Sequence, residues 1–122
     1  MTRALIAEDN AVNRELLREL LEARGYDVAE ARNGQEALQM IEQSRPDILL
    51  LDLGMPVLDG YSVARKIRDN PQLANLPVLA VTAYAMRGDR ERILESGFDG
   101  YLSKPINAAC LEQELDRLLG KQ

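Results

Sequence analysis

The run Ile48-Leu49-Leu50-Leu51, closed by Asp52, limits this chain more than any other stretch of its sequence. A strand with one face in water alternates apolar and polar residues. This one does not, so both of its faces must be covered. Such strands belong to parallel sheets, in which right-handed crossovers lay helices on either side. Other apolar runs can join it: Ala4-Leu5-Ile6-Ala7, Val28-Ala29 with its neighbours, Pro77-Val78-Leu79-Ala80-Val81, and Tyr101-Leu102.

Helical patterns fill the intervals. Asn10 is placed to cap a helix whose inner face carries Val12, Leu16, Leu17, Leu20 and Leu21, and Gly25 stops it. Asn33-Gly34 turns into a helix with Ala37, Leu38 and Ile41 inward, and Pro46 closes that unit. A loop with Gly54, Pro56 and Gly60 leads to a helix with Val63, Ala64 and Ile67. A helix around Arg90 to Glu95 ends at Gly97, and Asn107 caps a last one with Leu111, Leu115 and Leu118 inward. Five strands alternating with five helices predict an α/β fold with a parallel sheet. Ligands in such sheets bind outside the carboxyl ends of the strands, where the strand order reverses. With 122 residues and no repeat or linker, a single domain over residues 1–122 is expected.

Composition excludes several functions. A net charge of −5 argues against nucleic-acid binding and against docking on anionic membranes. No apolar stretch approaches the ~20 residues of a bilayer span. The first apolar run stops at Glu8-Asp9, unlike a signal peptide. A lone cysteine, Cys110, offers no internal disulfide and reads as helix packing, so a cytoplasmic location is the default. The chain has no histidine, which removes Ser-His and Cys-His catalysis and histidine metal sites. Chemistry must run on carboxylates, hydroxyls, amines and backbone.

Those groups fall at the strand ends. Glu8 and Asp9 end the first strand, Asp52 the third and Thr82 the fourth, and Lys104 follows the fifth. Singly, each has a plainer reading as a turn, a cap or a surface loop; together at one sheet edge they point to phosphoryl chemistry. Gathered carboxylates need a cation or a proton between them. Hard oxygen ligands favour Mg²⁺ or Mn²⁺, with the Gly54 carbonyl as a further ligand. A carboxylate beside such a metal can attack phosphorus, while Lys104 and Thr82 hold the phosphoryl oxygens. Glu30, Glu36, Glu42, Arg90 and Glu91 read as solvated faces.

The pattern resembles the response-regulator receiver domain of two-component signalling, of the CheY-like superfamily. The matching pieces are Ala7-Glu8-Asp9-Asn10, Leu51-Asp52-Leu53-Gly54-Met55-Pro56, Asp59-Gly60, Val81-Thr82-Ala83, Ser103-Lys104-Pro105, and Gly97 with Asp99-Gly100-Tyr101-Leu102, spread over essentially the whole chain. The resemblance implies a flavodoxin-like (βα)5 sandwich with sheet order 2-1-3-4-5. It implies Asp52 as phosphoacceptor, and Mg²⁺ held by Asp9, Asp52 and the Gly54 carbonyl, with Glu8 acting partly through water. It also implies Lys104 on the phosphoryl group, Thr82 and Tyr101 as the switch, and a cis bond before Pro105.

On this resemblance the donor is a phosphohistidine on a sensor histidine kinase or a histidine phosphotransfer protein. The receiver catalyses the transfer and hydrolyses its own acyl phosphate, acting as a switch and not as a metabolic enzyme. Gly54 and Tyr84 flank the route of the hydrolytic water. Only Gly120-Lys121-Gln122 follows the last helix, so no output domain is expected. Output would pass to a protein target through the face of the fourth helix, fifth strand and fifth helix, with a dimer on phosphorylation as another outlet. The segments Glu8 to Asn13 and Ala83 to Asp89 resemble receivers of hybrid kinases and stand-alone receivers of the DivK kind. Two alternatives differ in class. The intact acidic pair, Asp52, Thr82 and Lys104 argue against a binding module of this fold without a phosphorylation cycle, and failure to bind Mg²⁺ would revive it. An aspartate-nucleophile phosphatase would carry an acid two residues past the nucleophile, where this chain has Gly54.

Overall fold

The structure, a computed structural model, describes residues 2–55, 58–83 and 87–120, with the side chains of residues 87–89 left aside. Pro56, named above for family likeness, Tyr84, named for flanking the hydrolytic water, and Ala85 and Met86 of the segment Ala83 to Asp89 lie outside the described residues. The elements follow in strict alternation: β1 (Arg3–Ala7), α1 (Ala11–Ala23), β2 (Asp27–Ala31), α2 (Gly34–Gln43), β3 (Ile48–Asp52), α3 (Gly60–Asp69), β4 (Val78–Thr82), α4 (Arg87–Glu95), β5 (Gly100–Ser103) and α5 (Ala108–Leu119).

All strand pairs are parallel, in the order β2-β1-β3-β4-β5. The expected order is therefore the one found. Every residue of β3 is buried, as its unbroken apolar run requires. Side chains along a strand alternate between faces, so β3 divides its contribution. Leu49 and Leu51 join Ala37, Ile41, Val63, Ile67 and Ile93 in one core layer, under α2, α3 and α4. Ile48 and Leu50 join Leu17, Leu21, Leu111 and Leu115 in the other, under α1 and α5. The chain runs from β1 outward to β2 and returns to β3 on the other side, which opens a crevice at the carboxyl ends of β1 and β3.

The helix starts are built from local chemistry. The side-chain oxygens of Asn10, Asn33, Asp59 and Asn107 accept from the backbone N–H three residues on, at 2.8–3.1 Å. The apolar face expected for α1 needs correction. Leu17 and Leu21 are buried, but Val12 is 74% and Leu16 36% exposed. At about 100° per residue, Leu17 and Leu21 share a stripe from which Val12 and Leu16 are rotated well away. Cys110 is likewise exposed, not packed, because Leu111 and Leu115 define the inward stripe of α5. Among the described residues, no helix is long and apolar enough to cross a membrane.

Two residues of α3, Arg68 and Gly60, fix how that helix meets the sheet. At the amino edge of the sheet, Arg68 donates to the carbonyls of Gly97, Ala74 and Leu76 and, at 2.7 Å, to Asp99 Oδ2, which also accepts from Val78 N–H. At the carboxyl edge, Gly60 lets the start of α3 close on the end of β3. A Cβ there would stand 2.8 Å from both the Asp52 carbonyl oxygen and Leu53 Cα. Both neighbours are backbone and cannot swing aside. Gly60→Ala is therefore expected to destabilise the fold by ~1–3 kcal/mol through overpacking. A urea midpoint equal to that of the parent would show that the contact relaxes freely.

Candidate functional site

The crevice at the carboxyl edge is a cleft of about 600 Å³ lined by Asp9, Asn10, Asn13, Asp52, Leu53, Gly54, Tyr61, Thr82, Ala83, Arg92 and Lys104. Each strand delivers its polar residue as the apolar run ends, since a side chain beyond the helix layers meets water. The ladder continues past the strands to hold them there: Glu8 N–H donates to Ala31 O at 3.1 Å, Leu53 N–H to Val81 O at 3.1 Å and Lys104 N–H to Thr82 O at 2.8 Å. The peptide between Lys104 and Pro105 is cis, as the family resemblance implies.

Glu8 and Asp52 are buried, Asp9 is exposed, and one carboxylate oxygen from each lies within 4.8 Å of the others. Lys104 Nζ stands between them, 3.0 Å from Glu8 Oε1 and 3.4 Å from Asp52 Oδ2. Asp52 Oδ1 accepts from Gly54 N–H at 3.1 Å, and Glu8 Oε2 from Asn10 N–H at 3.3 Å. One ammonium cannot offset three clustered carboxylates, and their proton affinities diverge. Burial, and then the adjacent Asp52, push Glu8 from its ordinary 4.5 to about 7, against the pull of Lys104. Burial pushes Asp52 upward too, but Glu8, the Gly54 N–H and Lys104 outweigh it and hold its carboxyl below the usual range. Burial works against the Lys104 charge, yet Glu8 and Asp52 raise its pKa.

The donor set fits a hard divalent cation. Three carboxylates from two strand ends reach one point beside solvent. Glu8 Oε1 is fully buried, and no donor among the described residues meets it with hydrogen-bond geometry, although Lys104 is at ion-pair distance. Lys104 supplies part of the positive charge that this buried oxygen needs, and a divalent cation would supply more. Gly54 is on the cleft wall, where a carbonyl ligand was expected.

All the predicted chemical residues except the switch tyrosine come together in or directly beneath this cleft. Thr82 is buried at its wall. Tyr101 lies outside the lining, half-buried, with the Arg90 guanidinium 5.2 Å above its ring. Arg90 is thus engaged with the residue expected to switch and is more than a solvated face. Glu30 also has partners, Arg18 at 3.1 Å and Arg14 at 3.9 Å. Arg14 Nη1 in turn donates to the carbonyls of Glu8 at 2.9 Å and Asp9 at 3.4 Å, pinning the backbone that presents both acids. A basic residue one turn into the helix after an acidic pair is a signal sequence reading can use. Nothing local could have announced Tyr61 and Arg92, which reach the cleft from α3 and α4.

A parallel, doubly wound sheet with an acidic cleft and one lysine at its switch point is the architecture of a receiver domain. The chain belongs to the response-regulator receiver family: residues 4–116 match the family model of the response regulator receiver domain. It is 42% identical over 116 residues to the polar-differentiation response regulator DivK of Brucella anthropi, covering 95% of this chain and 94% of that one. It is also similar to the receiver domain of the sensor histidine kinase PA1611 from Pseudomonas aeruginosa PAO1, solved with magnesium coordinated in the active-site cleft. There the TM-score is 0.90 and the identity 39%, over 98% of both chains. A third likeness is to a chain in the co-crystal of the Saccharomyces cerevisiae histidine phosphotransfer protein Ypd1 with the receiver domain of Ssk1. Its TM-score is 0.88 and its identity 29%, over 96% of this chain and 88% of that one. Membership makes the protein a two-component signalling switch with a CheY-like fold.

The divergent carboxyls have a pH signature. Between pH 4.5 and about 7 the metal-free folded protein keeps a proton on Glu8 that the unfolded chain releases. Folding stability therefore falls as pH rises through this window. The lowered Asp52 and the raised Lys104 act outside it, below 3.8 and above 10.5. Urea midpoints measured in chelator across the window should decline, and Glu8→Gln should flatten the decline. An unchanged slope in the variant would place the titrating group elsewhere.

Proposed function

We propose that this receiver takes a phosphoryl group onto Asp52 from a phosphohistidine donor and relays the change through its surface. The observation that carries the reading is the convergence of Glu8, Asp9 and Asp52 within 4.8 Å, with Lys104 Nζ 3.4 Å from Asp52. Asp52 has the lowered proton affinity a nucleophilic carboxylate needs at neutral pH. Its oxygen forms the new bond to phosphorus, and the donor's P–N bond breaks with its electron pair remaining on the imidazole nitrogen. Lys104 moves from carboxylate to phosphoryl oxygen, and Thr82 donates its hydroxyl from the β4 end.

Asp9, Asp52 and the Gly54 carbonyl would hold Mg²⁺, or Mn²⁺, with Glu8 acting partly through water. When bound, the cation neutralises phosphoryl and carboxylate oxygens as charge shifts in the transfer. Glu8 gives up its proton as the site fills. Hydrolysis of the acyl phosphate uses the same cleft, and Gly54, exposed and without a side chain, leaves the flank beside Asp52 open to water.

The output reading follows from Thr82 and Tyr101. As the Thr82 hydroxyl is drawn to the phosphate, the space beside it admits the Tyr101 ring, which leaves its stack with Arg90. The face formed by α4, β5 and α5 thereby changes for a protein target or for a second copy of the chain. On the donor side, exposed Val12 and Leu16 stand on α1 beside cleft-lining Asn13 and offer apolar surface to a sensor kinase or histidine phosphotransfer protein. Phosphotransfer of this kind belongs to the cytoplasm, where kinase domains and their receivers meet.

The decisive measurement is intact-protein mass after incubation with acetyl phosphate or phosphoramidate and Mg²⁺. One phosphoryl group should be gained, withheld by chelator and abolished in Asp52→Asn. No gain with either donor or with any histidine kinase tried would defeat the proposal.

A further inference from the structure

We infer that Arg92 recruits the phosphoryl donor to the cleft and discriminates among donors by their charge. The inference rests on Asp52 being the acceptor and concerns how its substrate arrives.

Every phosphoryl donor is an anion, and the cleft it must enter is walled by Asp9 and Asp52, with Glu8 beneath. Among the described residues, the cleft lining contains two cations, Lys104 and Arg92. Lys104 is committed, bridging Glu8 and Asp52. Arg92 is exposed, and among the described residues no carboxylate pairs with it. Its position is nevertheless set. The guanidinium carbon lies 4.4 Å from the centre of the Tyr61 ring, and Tyr61 is braced edge-on by Phe98, with ring centres 6.0 Å apart at 88°. A guanidinium held over an aromatic ring in this way can still offer N–H groups to oxygen acceptors. A weakly hydrated, pre-positioned fork on the rim suits a phosphoryl group on its way to Asp52.

The same pair forms the wall of an adjoining groove between α3 and α4, lined also by Arg65, Arg68, Asp69 and Glu95. Asp69 and Glu95 give that groove mixed charge, and Arg68 is already bound to Asp99. Among the described residues, Arg92 is the cation on the cleft lining without a carboxylate partner.

The step it serves balances simply. With acetyl phosphate, the Asp52 carboxylate oxygen bonds to phosphorus as the P–O bond to the acetyl group breaks, and acetate leaves with the electron pair. With phosphoramidate, the P–N bond breaks and the already protonated nitrogen leaves as ammonia. The first donor is doubly negative at neutral pH and the second singly negative overall. An electrostatic recruiter therefore favours the first more strongly.

The test is the second-order rate constant for phosphorylation of the full chain, by both donors with saturating Mg²⁺, in the parent, Arg92→Gln and Arg92→Lys. Arg92→Gln should lose about three- to tenfold with acetyl phosphate at low ionic strength. The loss should be smaller with phosphoramidate and should fade toward 1 M salt, where screening acts within about 3 Å. Arg92→Lys should recover most of the rate. No loss, or an equal loss with both donors at all ionic strengths, overturns the inference, the latter marking Arg92 as mere packing for Tyr61. If the parent takes up no phosphoryl group while Asp52→Asn behaves identically, the acceptor reading fails, which is a separate result.

Discussion

The structure depends on three carboxylates held closer together than their charges favour. Glu8, Asp9 and Asp52 come within 4.8 Å of one another, and two of them are buried. Like charges so placed destabilise a fold unless something intervenes. In the metal-free chain two things do: the Lys104 ammonium, and a proton retained on Glu8. Both are provisional partners. In the proposed cycle a divalent cation takes over the positive charge that the proton and the ammonium supply here, which frees Lys104 for a phosphoryl oxygen. The cost of gathering these carboxylates is the physical reason the proposed site would favour a cation.

The rest of the molecule keeps those groups from relaxing apart. Burial of all of β3 fixes Asp52 in place, because sliding the strand by one residue would exchange its two faces between the core layers. Arg14 fastens the carbonyls of Glu8 and Asp9, and its neighbour Arg18 shares with it the carboxylate of Glu30. Gly60 allows α3 to approach the β3 end closely enough to close the cleft floor. Lys104 is held by the backbone bond from its N–H to Thr82 O. Rigid elements carry the charged groups, and exposed Arg92 and half-buried Asn13 lie on the rim around them.

Much of this was legible in the chain because it depends on local rules. An unbroken apolar strand demands cover on both faces, alternating helices supply it, and the first polar residue after each run falls at one edge. Asparagine caps and stop glycines mark the helix boundaries. Sequence reasoning went astray where burial depends on small rotations. Val12 and Leu16 are as apolar as Leu17, yet only Leu17 meets the sheet. Cys110 neighbours buried Leu111 and faces water itself. Glu30 and Arg90 look solvated in the sequence because their partners are distant in the chain or a matter of side-chain direction.

The sequence by itself determined the order of elements, the parallel sheet and the strand-end positions of Glu8, Asp9, Asp52, Thr82 and Lys104, since each follows from hydrophobic pattern and local punctuation. Only the tertiary structure decided which charges meet. It set Lys104 between Glu8 and Asp52, buried Glu8 Oε1 at ion-pair distance from Lys104, and brought Arg92 and Tyr61 from separate helices to the cleft rim. Pair distances and the field around a carboxylate belong to the packed fold, because Coulomb energy depends on separation in space and on burial, neither of which adjacency along a chain encodes.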